Sequence, residues 1–239
     1  MKAAIYVEGI TEAAFVYQLI GERYAWNWQA FRIECLNLDP ADAKNDLRDY
    51  GDDNAQDYYL IYDSCSDNAV SSDILSHFEK HRNNGFCKVV GLRDVYSERF
   101  VDLYGRTFDG GNINCFISDM QQAIALYDNT GFIHLQFAVM ETEAWLLAIS
   151  DVFNRIDNRV DAQWLMDKAK IDTANDPETT YFHPFSRLEA VYTSISRTYS
   201  KHWDEIKEII FKLTQSDFDM LYNSGKCQSF RDFSNAVFL

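Results

Sequence analysis

Residues 2–9, Lys-Ala-Ala-Ile-Tyr-Val-Glu-Gly, decide the fold class of this 239-residue chain. An apolar run of this length predicts a short buried strand, and Glu8-Gly9 predicts a tight turn directly after it. The next stretch, 11–24, carries apolar residues at helical spacing. Because a strand, a turn and a helix in this order form the repeating unit of α/β proteins, we expect an α/β domain.

The strand pattern recurs along the first part of the chain, in residues 31–38, 58–62, 88–92 and 133–140, with a weaker run at 113–117. Helical segments alternate with these runs, notably 71–82 and 141–153. This alternation predicts a largely parallel sheet covered by helices on both faces. Beyond about residue 150 only helical periodicity is present, in 162–170, 185–197, 201–213, 217–223 and 229–238, with a loop at 172–184. We therefore predict an α/β domain over 1–150 and a helical region over 151–239.

The net charge of −15 is concentrated in the first part of the chain. Residues 1–150 carry 23 acidic and 11 basic side chains, and residues 151–239 carry 14 and 11. An acidic surface repels nucleic acid, so the excess indicates either a solvated face or carboxylates gathered around a divalent metal. No apolar run approaches the ~20 residues of a membrane span. We expect a cytoplasmic protein that does not enter a membrane.

Acidic residues stand where four predicted strands end: Glu8, Asp63, Asp94 and Glu141. Because functional groups of an open α/β sheet lie beyond the carboxyl ends of its strands, we expect these carboxylates to meet at one edge. Their mutual repulsion is tolerable if a cation neutralises it, and Mg²⁺ or Mn²⁺ is the natural choice. A single carboxylate at such a junction more often caps the next helix, and that interpretation stays open for each residue.

Two further glutamates, Glu12 and Glu143, follow at the starts of helices. Side chains two residues apart on a helix diverge. Glu141 and Glu143 can therefore share a site only if Glu141 still belongs to the end of the strand.

Three motifs in this order resemble a known family. They are Tyr-Val-Glu8-Gly-Ile-Thr-Glu12-Ala-Ala-Phe, Val-Val-Gly-Leu-Arg-Asp94-Val-Tyr and Val-Met-Glu141-Thr-Glu143-Ala-Trp-Leu-Leu. The chain resembles Toprim domains over residues 1–150, in particular those of the overcoming-lysogenization-defect (OLD) nucleases and their small standalone relatives. Two elements of the helical region also resemble these relatives, Tyr199-Ser-Lys201 and Ser229-Phe-Arg-Asp-Phe233.

The resemblance implies a Toprim-like sheet that binds one or two Mg²⁺ or Mn²⁺ ions for phosphodiester chemistry. It implies that Glu8 is a general base or metal ligand, that Glu12 is a further ligand, and that Lys201 is a catalytic residue. Asp94 would complete the metal shell with Glu141 and Glu143. Val95-Tyr96 follows Asp94, so the second aspartate of the family's Asp-x-Asp is missing. Glu141, Glu143 or Asp63 would take its place.

The function implied is that of a metal-dependent endonuclease acting on nucleic acid, as the effector of a bacterial antiviral defence system. The chain has no G-x-x-x-x-G-K-[ST] motif, so the ABC-type ATPase that accompanies OLD nucleases would be a separate partner. Phosphate contacts would come from Arg93, Arg99 and Arg106 and from the basic residues of the helical region. Two alternatives remain: a non-catalytic Toprim-like binding or regulatory subunit, and primase-like nucleotidyl transfer.

Overall fold

The fold is an α/β sheet in a computed structural model that describes residues 1–39 and 43–239. Within these residues the sheet has six strands in the order β3-β2-β4-β1-β5-β6. The strands are β1 (Lys2–Val7), β2 (Phe31–Leu36), β3 (Tyr50–Gly51), β4 (Asp57–Asp63), β5 (Lys88–Asp94) and β6 (Ile133–Ala138). Strand β3 runs antiparallel to β2, whereas β2, β4, β1 and β5 pair in parallel. The predicted α/β class with a mostly parallel sheet is confirmed.

Helices separate the strands and make up the C-terminal part. In chain order they are α1 (Ile10–Arg23), α2 (Ala43–Asp46), α3 (Asp67–Asn83), α4 (Glu98–Tyr104), α5 (Gly110–Ala125), α6 (Glu143–Ala148), α7 (Asp151–Ile156), α8 (Ala162–Trp164), α9 (Pro177–Thr180), α10 (Pro184–Ser194), α11 (Trp203–Ile210), α12 (Gln215–Asn223) and α13 (Gln228–Phe238). Helix α8 continues into a π-helical turn, Leu165–Ala169. The predicted C-terminal helices are confirmed, and the predicted loop over 172–184 contains the short helix α9.

The chain forms two compact units that differ from the predicted ranges 1–150 and 151–239. Unit 1 comprises Met1–Arg93, Asn114–Phe137 and Asp232–Leu239, and unit 2 comprises Asp94–Ile113 and Ala138–Arg231. The chain leaves unit 1 after β5, returns to it for most of α5 and β6, and returns again at its C-terminal end. The sequence pattern shows where strands end and the helical region begins. It does not show that later segments of the chain pack back into unit 1.

Unit 1 is organised around β1. Residues Ala3 to Val7 are buried on both faces of the strand, as expected for the inside of a parallel sheet. The hydroxyl of Tyr6 lies 2.7 Å from Nε2 of His81 on α3. Burial lowers the pKa of His81 to about 4, so this imidazole is neutral at pH 7.

Two predicted elements are wrong. The run at 113–117 is part of α5, because Ile113, Phe116, Met120 and Ile124 are buried at spacings of three and four residues, which is the helical period. The segment 141–153 is two helices and not one. It is interrupted at Ile149, which leaves the helical conformation at φ −90° and ψ 59°.

Gly51→Ala should destabilise the chain by roughly 3 kcal/mol or more, because it combines two penalties. Gly51 has a φ of +101°, and a Cβ atom there would lie 1.9 Å from the carbonyl oxygen of Phe31. Gly85→Ala is the matched control, since Gly85 has a φ of +78° and open space around its Cα. It should cost about 1 kcal/mol. Urea unfolding measures both, and equal losses would contradict the steric explanation.

Candidate functional site

Unit 2 contains a group of charged side chains, which we call the acidic site. The three carboxylates are almost completely inaccessible, with exposures of 5% for Asp94, 5% for Glu141 and 0% for Glu143. Asp94 is the last residue of β5, and Glu143 is the first residue of α6. The other members are His183 and Lys201, which precede α10 and α11.

The connection from β6 to α6 brings the carboxylates of the acidic site together. Strand β6 ends at Ala138 and α6 begins at Glu143, so Glu141 lies between them and is not on the helix. The predicted condition, that Glu141 belongs to the end of the strand, is not met. Glu141 instead lies in the connection before α6, so the divergence of side chains two apart on a helix does not apply to Glu141 and Glu143. Asp94 holds the connection by accepting hydrogen bonds at Oδ1 from the backbone N–H of Thr142 (3.0 Å) and from its hydroxyl (3.1 Å).

Glu143 is the most unusual member of the acidic site. Its carboxylate is completely buried, and neither oxygen accepts a hydrogen bond within the part of the chain that the structure describes. Nζ of Lys201 lies 2.8 Å from Oε1 of Glu143, an ion pair without the directionality of a hydrogen bond. A buried carboxylate with so few partners is costly, so Glu143 depends on the nearby positive charge.

Lys201 lies in the loop before α11, and not within a helix that starts at residue 201 as the sequence predicts. Its backbone is in the left-handed region, with a φ of +59°. Glu205 fixes both neighbours by accepting hydrogen bonds from the N–H groups of Ser200 (2.6 Å) and His202 (3.3 Å). The sequence analysis missed Glu205, although a glutamate in the first turn of a helix is a known signal for such a contact.

Glu141 accepts two hydrogen bonds at Oε2, from Nδ1 of His183 (2.8 Å) and from the N–H of Phe185 (2.7 Å). Burial raises the pKa of Glu141, and the charge of Glu143 raises it further. The two hydrogen bonds and the charge of Lys201 act in the opposite direction. Sequence reasoning missed His183, because a single histidine within the predicted loop 172–184 carries no motif.

The acidic site fits a hard divalent cation by its donor chemistry. The acidic site combines three buried carboxylates with one lysine, and oxygen ligands are what Mg²⁺ and Mn²⁺ prefer. The ligand atoms are not closely gathered. Among the described residues, Asp94, Glu141 and Glu143 do not form a group with all ligand atoms within 4.8 Å of one another.

The other predicted site residues, Glu8, Glu12 and Asp63, belong to unit 1. Glu8 directly follows β1, and Glu12 is buried in the first turn of α1, where a negative charge favours the helix dipole. Asp63 is the last residue of β4 and accepts a hydrogen bond from the N–H of Cys65 (2.8 Å). Burial raises the pKa of Asp63. Its hydrogen bond is that of an ordinary turn cap.

Most of the basic side chains predicted to contact phosphate are already engaged. Lys207 lies 2.8 Å from Asp204, Arg197 forms an ion pair with Glu208, and Arg187 lies over the ring of Tyr181. Arg93 is 1% exposed, so its predicted role as a surface phosphate contact is wrong. Arg99 and Arg106 are exposed.

A second cluster in unit 2 consists of the half-buried Asp176 and the buried Glu178 and Cys227, whose ligand atoms lie within 4.8 Å of one another. Glu178 accepts hydrogen bonds from the indole N–H of Trp145 (2.9 Å) and from the hydroxyl of Ser229. Asp176 accepts from the N–H groups of Glu178 and Cys227. Burial raises the pKa of the Cys227 thiol, which disfavours the thiolate that binds metals. This cluster is a hydrogen-bonded brace between α6, α9 and α13.

The sequence analysis singled out Ser229 and missed Asp176, Glu178 and Cys227. Ser229 stood in the Ser-Phe-x-x-Phe element, and its hydroxyl also accepts from the indole of Trp145 (3.0 Å). The missed residues are far from Trp145 in sequence, and a helix as short as α9, which carries Glu178, gives no periodic signal.

The fold and the site together define an α/β protein with a buried carboxylate cluster. Comparison of the chain with protein-family models, curated proteins and solved structures found no match. No helix among residues 1–39 and 43–239 has both the length and the apolar character needed to cross a membrane.

Glu178→Gln should change how stability depends on pH. Burial raises the pKa of Glu178 to about 7, so the folded chain holds a proton that the unfolded chain releases near pH 4.5. Between about pH 4.5 and about pH 7 the unfolded chain has lost this proton and the folded chain has not. The free energy of unfolding therefore falls as pH rises through this range, by about 3 kcal/mol at most. Without the carboxyl group this decline should be smaller.

The measurement is urea unfolding of both proteins between pH 4.5 and pH 8. Glu189→Gln, which changes an exposed side chain on α10, is the control and should leave the pH profile of the wild type unaltered. Parallel profiles for wild type and Glu178→Gln would show that Glu178 does not titrate in this range.

Proposed function

We propose that this chain is a metal-dependent nuclease of the Toprim-like kind. The observation that carries the proposal is Glu143, a fully buried carboxylate beside Lys201 that accepts no hydrogen bond from any residue that the structure describes. Such an arrangement costs stability, and a functional role is a reason for a protein to retain it. A divalent cation held by Asp94, Glu141 and Glu143 would relieve the excess negative charge.

The reaction class comes from the resemblance of the three acidic motifs to Toprim nucleases. Bound Mg²⁺ or Mn²⁺ supplies Lewis-acid chemistry for hydrolysis of a phosphodiester. The resemblance also assigns Glu8 to the reaction, as general base or metal ligand, and Glu12 as a further ligand.

Lys201 has the properties of a phosphate-binding residue in this proposal. Its side chain is 36% exposed, whereas the carboxylate that it contacts is completely buried. The side chain is thus partly accessible from solvent, and its ammonium group is a strong donor to phosphate oxygens. The left-handed backbone and the contacts of Glu205 fix the loop from which Lys201 extends.

The charge of the chain favours a partner for binding nucleic acid. The net charge is −15, and Arg197 and Lys207 are neutralised by Glu208 and Asp204. We infer weak binding by the chain alone and tighter binding with a separate ABC-type ATPase, in a bacterial antiviral system. These same ion pairs are what favour the alternative, a non-catalytic Toprim-like subunit that binds a protein partner.

Asp94→Asn and Glu143→Gln should each reduce Mn²⁺-dependent cleavage by roughly 100-fold, because each removes a charge that supports the reaction. The measurement is single-turnover cleavage of end-labelled DNA and RNA with saturating Mn²⁺. Asp151→Asn, at an exposed position in unit 2, is the matched control and should cleave at the wild-type rate. Glu8→Gln tests the residue assigned by resemblance alone.

Lys201→Ala in the same assay should cost at least ~10-fold, or ~1.4 kcal/mol, whereas Lys207→Ala, which breaks a surface ion pair, should have no effect. Wild-type rates in Asp94→Asn and Glu143→Gln would place the active site elsewhere. A wild-type chain that binds Mn²⁺ and cleaves neither substrate, alone or with its partner, would support the non-catalytic alternative.

A further inference from the structure

We infer that His183 is a positioning residue for Glu141, and that it sets the affinity of the acidic site for its metal. The inference deepens the proposed function and rests on it. His183 and Phe185 flank Pro184, the first residue of α10, and both donate to the same oxygen, Oε2 of Glu141. The N–H of Phe185 can only donate, so Glu141 is the acceptor in this pair of contacts. Both bonds go to Oε2, which leaves Oε1 for a cation.

The imidazole of His183 is held in place by aromatic packing. Its ring stacks on that of Tyr96, with centroids 4.6 Å apart and planes at 21°. The ring of Phe182 packs edge-on against that of Tyr96, with centroids 5.5 Å apart. A ring that is fixed in this way loses little rotamer freedom when it donates to Glu141, so the hydrogen bond costs little entropy.

Tyr96 is tied to the chain segment that carries Glu141. Its backbone N–H donates to the carbonyl of Met140 (2.7 Å), the residue before Glu141. Met140 has a φ of +64°, a left-handed conformation that a methionine rarely adopts. Tyr96 therefore fixes the ring of His183 and the backbone next to Glu141 at once. The hydrogen bond from Phe185 to Glu141 alone would suffice to cap α10, so the contacts of Tyr96 are additional to capping.

A carboxylate ligand that is hydrogen-bonded from outside the metal shell binds more tightly, and loss of such a partner lowers metal affinity by about 10- to 100-fold. His183→Ala should have this effect. Two amide variants distinguish the roles of the two ring nitrogens. The amide of asparagine lies near the position of Nδ1, and the amide of glutamine lies near that of Nε2. If His183 acts through Nδ1, asparagine should restore the affinity and glutamine should not.

The experiment is isothermal titration of the full chain with MnCl₂ in the absence of nucleic acid. The variants are His183→Ala, His183→Asn and His183→Gln, with Glu141→Gln as the reference for loss of the ligand. His77→Asn, on α3, is the control for the substitution itself. We expect wild-type affinity within about 3-fold for His183→Asn, and a loss of about 10- to 100-fold for His183→Ala and His183→Gln.

Each of the other results of this titration contradicts a different part of the inference. Wild-type affinity in His183→Ala, with loss in Glu141→Gln, overturns the role of His183 and leaves the proposed function intact. Rescue by glutamine but not asparagine overturns action through Nδ1. If the wild type shows no saturable Mn²⁺ site, or Glu141→Gln does not weaken it, the proposed metal site and the role of His183 both fail. Should His183→Ala not fold, the comparison of His183→Asn with His183→Gln decides the question.

Discussion

The ion pair between the buried carboxylate of Glu143 and the ammonium of Lys201 is the interaction on which the acidic site depends. An isolated carboxylate without solvent or hydrogen bonds is strongly disfavoured, and this one lies at the first residue of α6. The surrounding structure compensates for it. The brace of Glu178, Trp145 and Ser229 holds α6, and Glu205 holds the loop of Lys201. Two separate sets of hydrogen bonds thus support one costly pair, which is what a functional site requires.

The sheet was predictable because its strands are short, buried and separated by amphipathic helices. Residues 2–7 carry the pattern most clearly, and they form β1, which is buried from Ala3 to Val7. The prediction failed for the run at 113–117, because five residues are too short a window to show the helical period that extends from Ile113 to Ile124 in α5. Periodicity also gave no information on the compact units, since the return of α5, β6 and the C-terminal end to unit 1 depends on long-range packing.

The acidic residues of the site were predictable because strand ends are the functional positions of an α/β sheet. Asp94, Glu141 and Glu143 follow this rule, and all three belong to unit 2, where Glu143 pairs with Lys201. Their hydrogen-bond partners were not predictable. Thr142, His183 and Phe185 are ordinary residue types, and all three lie more than 40 positions along the chain from the carboxylate that they contact. Contacts between residues so far apart in sequence are seen only once the chain is folded.

The central claim is that the acidic site holds a divalent cation. The most direct measurement is a crystal structure of the chain grown with MnCl₂, with diffraction data collected at the manganese absorption edge. The account predicts an anomalous peak at the acidic site, beside the carboxylates of Asp94, Glu141 and Glu143. It would be contradicted by a map with manganese bound at Asp176, Glu178 and Cys227 and no peak at the acidic site, because the cluster interpreted as a structural brace would then be the metal centre.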